Sequence, residues 1–357
     1  MKNFLKTTDP VSLRRDFFDY NKSMIKQIGV LGAGTFGIAL ARMLANDSYD
    51  VMVFSPTGSN LEQLEKERIH KNLPGVVIPE SIVFTRDIRE VCEGKQLLLF
   101  AVPSIYVREI TRKAKAYISE ETIIVDVAKG IEADTLLTMS QVIKDELKND
   151  RIKVVALSGP THAEEVARDL PSTIVSACED EKTARIVQDV FMNTCMRVYT
   201  NKDVLGVELC GAMKNIIALA AGISAGLGYG DNAKAAIITR GMVEITRLGL
   251  KMGADKDTFP GLAGIGDLIV TATSVHSRNN RCGTLIGQGL KPKDAIEEVG
   301  MVVEGINALP AAMKLMREYQ IEMPITSMVN AIVNEKIDPK SAVAALMMRD
   351  KKNENNY

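Results

Sequence analysis

The sequence predicts an α/β protein, with a Rossmann-like, mostly parallel sheet domain followed by an all-helical C-terminal domain. Three observations carry this. Between residues 25 and about 200, short apolar runs alternate with amphipathic stretches, the pattern of buried strands joined by crossover helices. The first run leads straight into glycines in G-x-G-x-x-G spacing, where a tight strand-to-helix turn belongs. From about residue 204 the runs give way to long Ala/Gly/Met-rich stretches of helical character. The expected organisation is an extension over residues 1–23, a sheet domain over 24–202, a helical domain over 203–350 and a polar tail over 351–357.

Taken in order, the first 23 residues mix charges and contain no apolar segment, unlike a secretory signal; they read as a surface extension. Ile25–Leu31 is the first strand. Gly32 permits the tight turn after it, Gly34 lets backbone approach a pyrophosphate, and Gly37 lets the following helix pack close. That helix would present free N–H groups to phosphates. The second strand, Val51–Phe54, ends at Ser55 without the carboxylate that would grip a ribose diol and repel a 2′-phosphate. Ser55 and Thr57 can hydrogen-bond either group, so NAD and NADP are both admitted, and Arg68 lies too far along to decide between them. Further strands are expected at Leu97–Val102, Thr122–Val127, Lys153–Leu157, Thr173–Ala177 and Met196–Tyr199.

In an open α/β sheet, ligands bind beyond the carboxyl ends of the strands. Three such ends carry unusual residues: Pro103-Ser104, Ala128-Lys129-Gly130 and the segment Ser158–Glu164. Lys129 beside a glycine suits close approach of a ligand, although most lysines in that position are solvated. His162 could be a general acid/base, yet capping or packing at a helix start explains it as well.

The stretch Val204–Gly226 reads as a helix buried all round, yet it contains Glu208, Lys214 and Asn215. A charged Lys inside a core is costly. It either pairs with a carboxylate such as Glu208 or serves chemistry, with a pKa depressed by desolvation. Between Phe259 and Gly289 the sequence reads as a long Gly-rich loop carrying Ser277, Arg278, Asn279 and Arg281. Clustered donors with an Arg fork suit an anionic group. Asp267 follows a Gly-x-Gly turn and could orient a Lys.

The net charge of −1 argues against a nucleic-acid partner, which calls for a basic excess. Five Cys without a C-x-x-C pair, and only three His, indicate neither a disulfide framework nor a metal site. The one apolar stretch near 216–228 is short and Gly-rich, better read as a core helix than as a membrane span. The expected protein is cytoplasmic, without stable membrane insertion, and a homodimer is compatible with it.

Several long motifs make a resemblance specific: GAGTFG (32–37), VAKGIE (127–132), SGPTHAEE (158–165), the run from Glu208 to Gly241, GLAGIGDLIVTATS (261–274), SRNNRCG (277–283) and VVEG (302–305). Across about residues 24–340 the chain resembles the bacterial-type NAD(P)-dependent glycerol-3-phosphate dehydrogenases. The resemblance implies an oxidoreductase that interconverts dihydroxyacetone phosphate and sn-glycerol 3-phosphate with NAD or NADP, feeding glycerophospholipid synthesis. It implies Lys214 as proton donor and acceptor, helped by Lys129. Lys129, Gly159, Thr161, Asp267, Ser277, Arg278 and Asn279 are similar to substrate-contacting positions. Thr35, Phe36, Lys129, Ala163, Arg278, Val302 and Glu304 are similar to cofactor contacts, beside Gly32, Gly34, Gly37 and Ser55 of the glycine turn and second strand. The extension and the Ser55-Pro56-Thr57 strand end depart from the pattern. Two other classes fit the residues less fully: a related β-hydroxyacid dehydrogenase acting on a carboxylate, and a non-catalytic nucleotide-sensing module.

Overall fold

The structure, a computed structural model, describes residues 25–56, 58–192, 194–351 and 353–354. The 1–23 extension, Thr57 and most of the 351–357 tail lie outside the described residues. Among the described residues, eight strands form one sheet: β1 Gln27–Leu31, β2 Asp50–Phe54, β3 Val83–Thr85, β4 Leu97–Phe100, β5 Ile123–Asp126, β6 Lys153–Ser158, β7 Ser172–Ala177 and β8 Met196–Asn201. Their order is β3-β2-β1-β4-β5-β6-β7-β8. All pairs are parallel except β6–β7, which is antiparallel.

Period-two alternation divides the strands between two cores. Leu97 and Leu99 pack with Val30, Val53 and the Thr35–Asn46 helix on one face. Leu98 and Phe100 pack with Leu31, Phe54 and the Val107–Ala114 and Met139–Leu147 helices on the other. Burial on both faces is why these strands read as continuous apolar runs. The sequence reading found seven strands and missed β3. Three residues at a sheet edge are too short to carry a periodic signal.

After Asn201 the chain enters the Val204–Gly226 helix, whose N-terminus Asp203 caps by accepting from the Gly206 N–H at 2.9 Å. This helix is long and apolar enough to cross a membrane, but it is the buried axis of the second core. The Asp231–Met252, Asp267–Thr273, Arg278–Gly287, Glu304–Glu318 and Pro324–Val333 helices surround it.

The expected Gly-rich loop between Phe259 and Gly289 is largely helical instead. It comprises a π turn over Leu262–Gly266 and the Asp267–Thr273 and Arg278–Gly287 helices. Two of its glycines, Gly283 and Gly287, serve helix contact rather than chain flexibility. A Cβ on Gly283 would meet the Leu219 carbonyl oxygen at 2.1 Å, and one on Gly222 the Asn280 carbonyl oxygen at 2.1 Å. The i, i+4 glycines of the two helices (222/226 and 283/287) therefore let their backbones touch. Gly222→Ala is expected to force these helices apart and to cost roughly 1–3 kcal/mol. A thermal melt should show a lower Tm; an unchanged Tm would mean that the contact yields freely.

Candidate active site

The glycine turn follows β1. Gly32 has φ +121°, a conformation that L side chains rarely adopt, and its N–H donates to the Phe54 carbonyl across to β2 at 3.0 Å. A Cβ on Gly37 would meet the Gly32 oxygen at 2.2 Å, so the helix could not pack as it does with any larger residue, whereas the space around Gly34 is open. Gly34 is the N-cap of the Thr35–Asn46 helix and supplies no side-chain cap. The first-turn N–H groups are thus available to an anion. Gly34, Thr35 and Phe36 line a cleft of about 720 Å³ between the sheet and the helical domain. A loop of the sheet domain crosses its mouth. Asn72 Nδ2 donates to Thr35 Oγ1 at 3.2 Å and lies 3.7 Å from Met301 Sδ. An open, uncapped glycine turn at the head of a helix fits the pyrophosphate of a dinucleotide.

The same cleft holds two lysines on one carboxylate. Lys129 sits just beyond β5, Lys214 midway along the 204–226 helix, and Asp267 heads the helix that follows the π turn. π turns recur at functional sites. Lys129 Nζ donates to Asp267 Oδ2 at 2.7 Å and to the Gly159 carbonyl at 3.0 Å. Lys214 Nζ donates to Asp267 Oδ1 and, at 2.6 Å, to Thr271 Oγ1. Burial pushes Lys214 down to about 7; the Asp267 carboxylate works against this and the nearby Lys129 ammonium adds to it. Burial would push the Asp267 carboxyl up, but the two ammoniums outweigh it and hold it below the usual range. Glu208, the alternative partner for Lys214, is taken up elsewhere. It accepts from Thr138 Oγ1 and Ser140 Oγ, both at 2.6 Å, and from the Ser140 N–H at 2.7 Å.

A third group lies beside the lysines. Ser277 caps the 278–287 helix through the Asn280 N–H at 3.2 Å. Asn279 Nδ2 donates to Asn215 Oδ1 at 3.0 Å, and Asn279 Oδ1 accepts from the Gly305 N–H at 2.8 Å. The Arg278 guanidinium is reached by solvent through the cleft, yet the desolvation of its surroundings lowers its pKa against the pull of Glu304 and Glu164. Glu304 is anchored to the end of β4, accepting from the Ser104 N–H at 3.0 Å and Ser104 Oγ at 2.6 Å. At the lysines, two ammoniums on one carboxylate leave a local positive surplus suited to an anionic substrate, while Arg278 is set against Glu304 and Glu164.

Most of the residues singled out in the sequence face this one cleft: Thr35, Phe36, Lys129, Thr161, Ala163, Lys214, Ser277, Arg278, Asn279, Val302 and Glu304. Gly32 and Gly37 lie beneath the turn. Gly159 meets the cleft through its carbonyl on Lys129, and Asp267, 1% exposed, stands behind both lysines rather than on the wall. Ser55 is buried at the end of β2, next to Phe54, and does not line the cleft. Arg68 packs over the Phe84 ring and donates to the Pro79 and Ile82 carbonyls, away from the cleft. The sequence reading missed Thr271 and the loop around Asn72. Thr271 had a signal, four residues beyond Asp267 on one helix face. Asn72 had none, since its partners lie 37 and 229 residues away. His162 occupies an N-cap position, as the blander reading expected, but its side chain makes no cap bond. It faces the cleft, with Nε2 3.4 Å from the Val270 carbonyl oxygen.

Family models for the N-terminus and the C-terminus of NAD-dependent glycerol-3-phosphate dehydrogenase match residues 27–184 and 203–344. A glycerol-3-phosphate dehydrogenase (NAD(P)+) 2 from Lactobacillus delbrueckii subsp. bulgaricus is 61% identical over 332 residues, covering 92% of this chain and 98% of the relative. A glycerol-3-phosphate dehydrogenase (NAD(P)+) from Agathobacter rectalis is 49% identical over 329 residues, covering 92% and 97%. The crystal structure of glycerol-3-phosphate dehydrogenase from Coxiella burnetii superposes with a TM-score of 0.87 at 36% identity, covering 91% of this chain and all of that one. A ketopantoate reductase of the PanE/ApbA family from Ralstonia eutropha, 15% identical with a TM-score of 0.60, shares the fold alone.

Proposed function

The chain belongs to the NAD-dependent glycerol-3-phosphate dehydrogenase family, and on that premise we propose that its two-lysine cleft is the active site for the family's reaction. The enzyme interconverts dihydroxyacetone phosphate and sn-glycerol 3-phosphate with NAD(P)(H). The carboxylate-substrate and nucleotide-sensing alternatives are not favoured by that membership. The observation that carries the site assignment is Lys214, buried and pushed down to about 7, bonded to a carboxylate that also holds Lys129.

The dinucleotide would lie along the glycine turn, with Gly34, Thr35 and Phe36 at its pyrophosphate, and supplies or accepts the hydride when bound. Lys214 protonates the ketone oxygen as it becomes an alkoxide, and in the reverse direction takes the hydroxyl proton. Lys129 adds positive charge beside that oxygen, stabilising charge as it develops. Asp267 acts through the lysines by fixing both ammoniums, and Thr271 holds the Lys214 rotamer. Arg278 and Asn279, at the helix start capped by Ser277, receive the substrate phosphate. Supply of sn-glycerol 3-phosphate for glycerophospholipid synthesis, a cytoplasmic setting and a homodimer complete the reading.

Oxidation of NADH and of NADPH with dihydroxyacetone phosphate, assayed side by side, tests it. Turnover is expected with both cofactors, because the end of β2 at Ser55 offers no carboxylate to repel a 2′-phosphate. An inert NADPH would overturn this expectation.

A further inference from the structure

Lys214 has to be recharged after each reduction, and bound dinucleotide and substrate would fill the cleft that its side chain lines. Its side chain is 6% exposed, and its partners Asp267 and Thr271 are themselves buried. Two imidazoles, His162 and His276, line the cleft beside this region. His162 lines the same cleft, and its Nε2 approaches the carbonyl of Val270, the residue directly before Thr271. The ring therefore lies against the turn of helix that carries a Lys214 partner. Its N-cap position leaves the side chain uncommitted to capping. The ring of His276 stands 6.0 Å from it, centroid to centroid, tilted by 59°, and His276 is exposed at the rim of the cleft.

We infer that His162 and His276 form a proton relay between solvent and Lys214. The inference rests on Lys214 being the proton donor. Neither histidine touches the reacting atoms; both act through Lys214. In reduction, a Lys214 N–H bond breaks as the product O–H forms, leaving a neutral amine. Solvent then protonates His276, the proton passes to His162 directly or through one water, and water in the cleft that both residues line carries it on, an N–H of the His162 imidazolium breaking as the Lys214 ammonium re-forms. Oxidation of the alcohol runs the same path outward. The groups facing His162 suit a carrier. Burial lowers its pKa, the Val270 carbonyl opposes that, Lys214 lowers it further, and Glu164 and Glu165 on its own helix raise it, for a net fall. The lowered pKa favours release of a proton once it is taken up.

The test compares one turnover with many, using dihydroxyacetone phosphate and NADH on full-length protein. His162→Asn keeps an N–H donor for the Val270 carbonyl but cannot carry a proton. It is expected to lower steady-state kcat about tenfold or more, while the first hydride transfer from the preformed ternary complex stays within about threefold. Added imidazole is expected to restore turnover in His162→Ala, a rescue that no merely structural role explains. Unchanged kcat in His162→Asn, equal losses in the first and later turnovers, or a loss that imidazole fails to repair would each overturn the relay. Lys214→Ala separates the two levels of the argument: if its first turnover is normal, the donor assignment itself fails, whatever the histidine variants do.

Discussion

Lys214→Ala lowers kcat by roughly 10²–10⁴-fold, the range for a lost general acid/base, and leaves cofactor affinity nearly unchanged. The expectation follows from where the side chain stands. Lys214 is buried among small and apolar residues, and its Nζ bonds to Asp267 and Thr271. The glycine turn that would hold the dinucleotide pyrophosphate is built by other elements, β1 and the Thr35–Asn46 helix, and none of the Lys214 Nζ bonds reaches it. The wild-type protein carries a linked signature in pH. With Lys214 pushed down to about 7, the ammonium is present below that pH and lost above it. Ketone reduction uses the ammonium, so its kcat/KM is expected to fall as pH rises through about 7. Alcohol oxidation uses the free amine, so its kcat/KM is expected to rise over the same interval. Since kcat/KM reports the free enzyme, both limbs should share one midpoint. Near-normal kcat in Lys214→Ala, or two limbs moving in the same direction, would defeat the assignment.

Arg278→Ala weakens the phosphorylated substrate by roughly 2–4 kcal/mol, the scale for deleting an arginine from a charge pair that bound substrate would close off from solvent. That is a rise in KM of roughly 30- to 1,000-fold. Non-phosphorylated dihydroxyacetone is expected to be nearly indifferent. The physical basis is the guanidinium that lines the cleft at the head of the 278–287 helix, beside Ser277 and Asn279. Comparing KM for the two ketones before and after the substitution isolates the phosphate contribution, and equal losses for both would rule it out. The carboxylates of Glu304 and Glu164 near Arg278 add a further expectation: without the arginine they repel the phosphate, so the loss should exceed that of a neutral hydrogen bond.

The parts of the molecule legible in the sequence are those set by local chemistry. Burial on both faces made the strands read as apolar runs. The turn after β1 needs Gly32 at φ +121° and Gly37 against the Gly32 oxygen, and no other residue type serves there. Lys214 stood out because a charge inside an otherwise apolar helix is costly without a purpose. The segment between Phe259 and Gly289 misled for the opposite reason. Glycine loosens a chain and also lets two helices touch, and only the facing helix distinguishes these uses.

By itself, then, the sequence determined the sheet-then-helix order, the glycine turn and the presence of a buried lysine and a basic cluster, since each depends on residues close together in the chain. Only the tertiary structure decided which carboxylate holds Lys214, that the same Asp267 also holds Lys129 138 residues away, that Asn72 reaches Thr35, and that His162 faces His276. Those pairings arise from how the helical domain packs against the carboxyl ends of the strands. No spacing records them, because a contact between distant residues is set by the shape of the whole core and not by the chain between them.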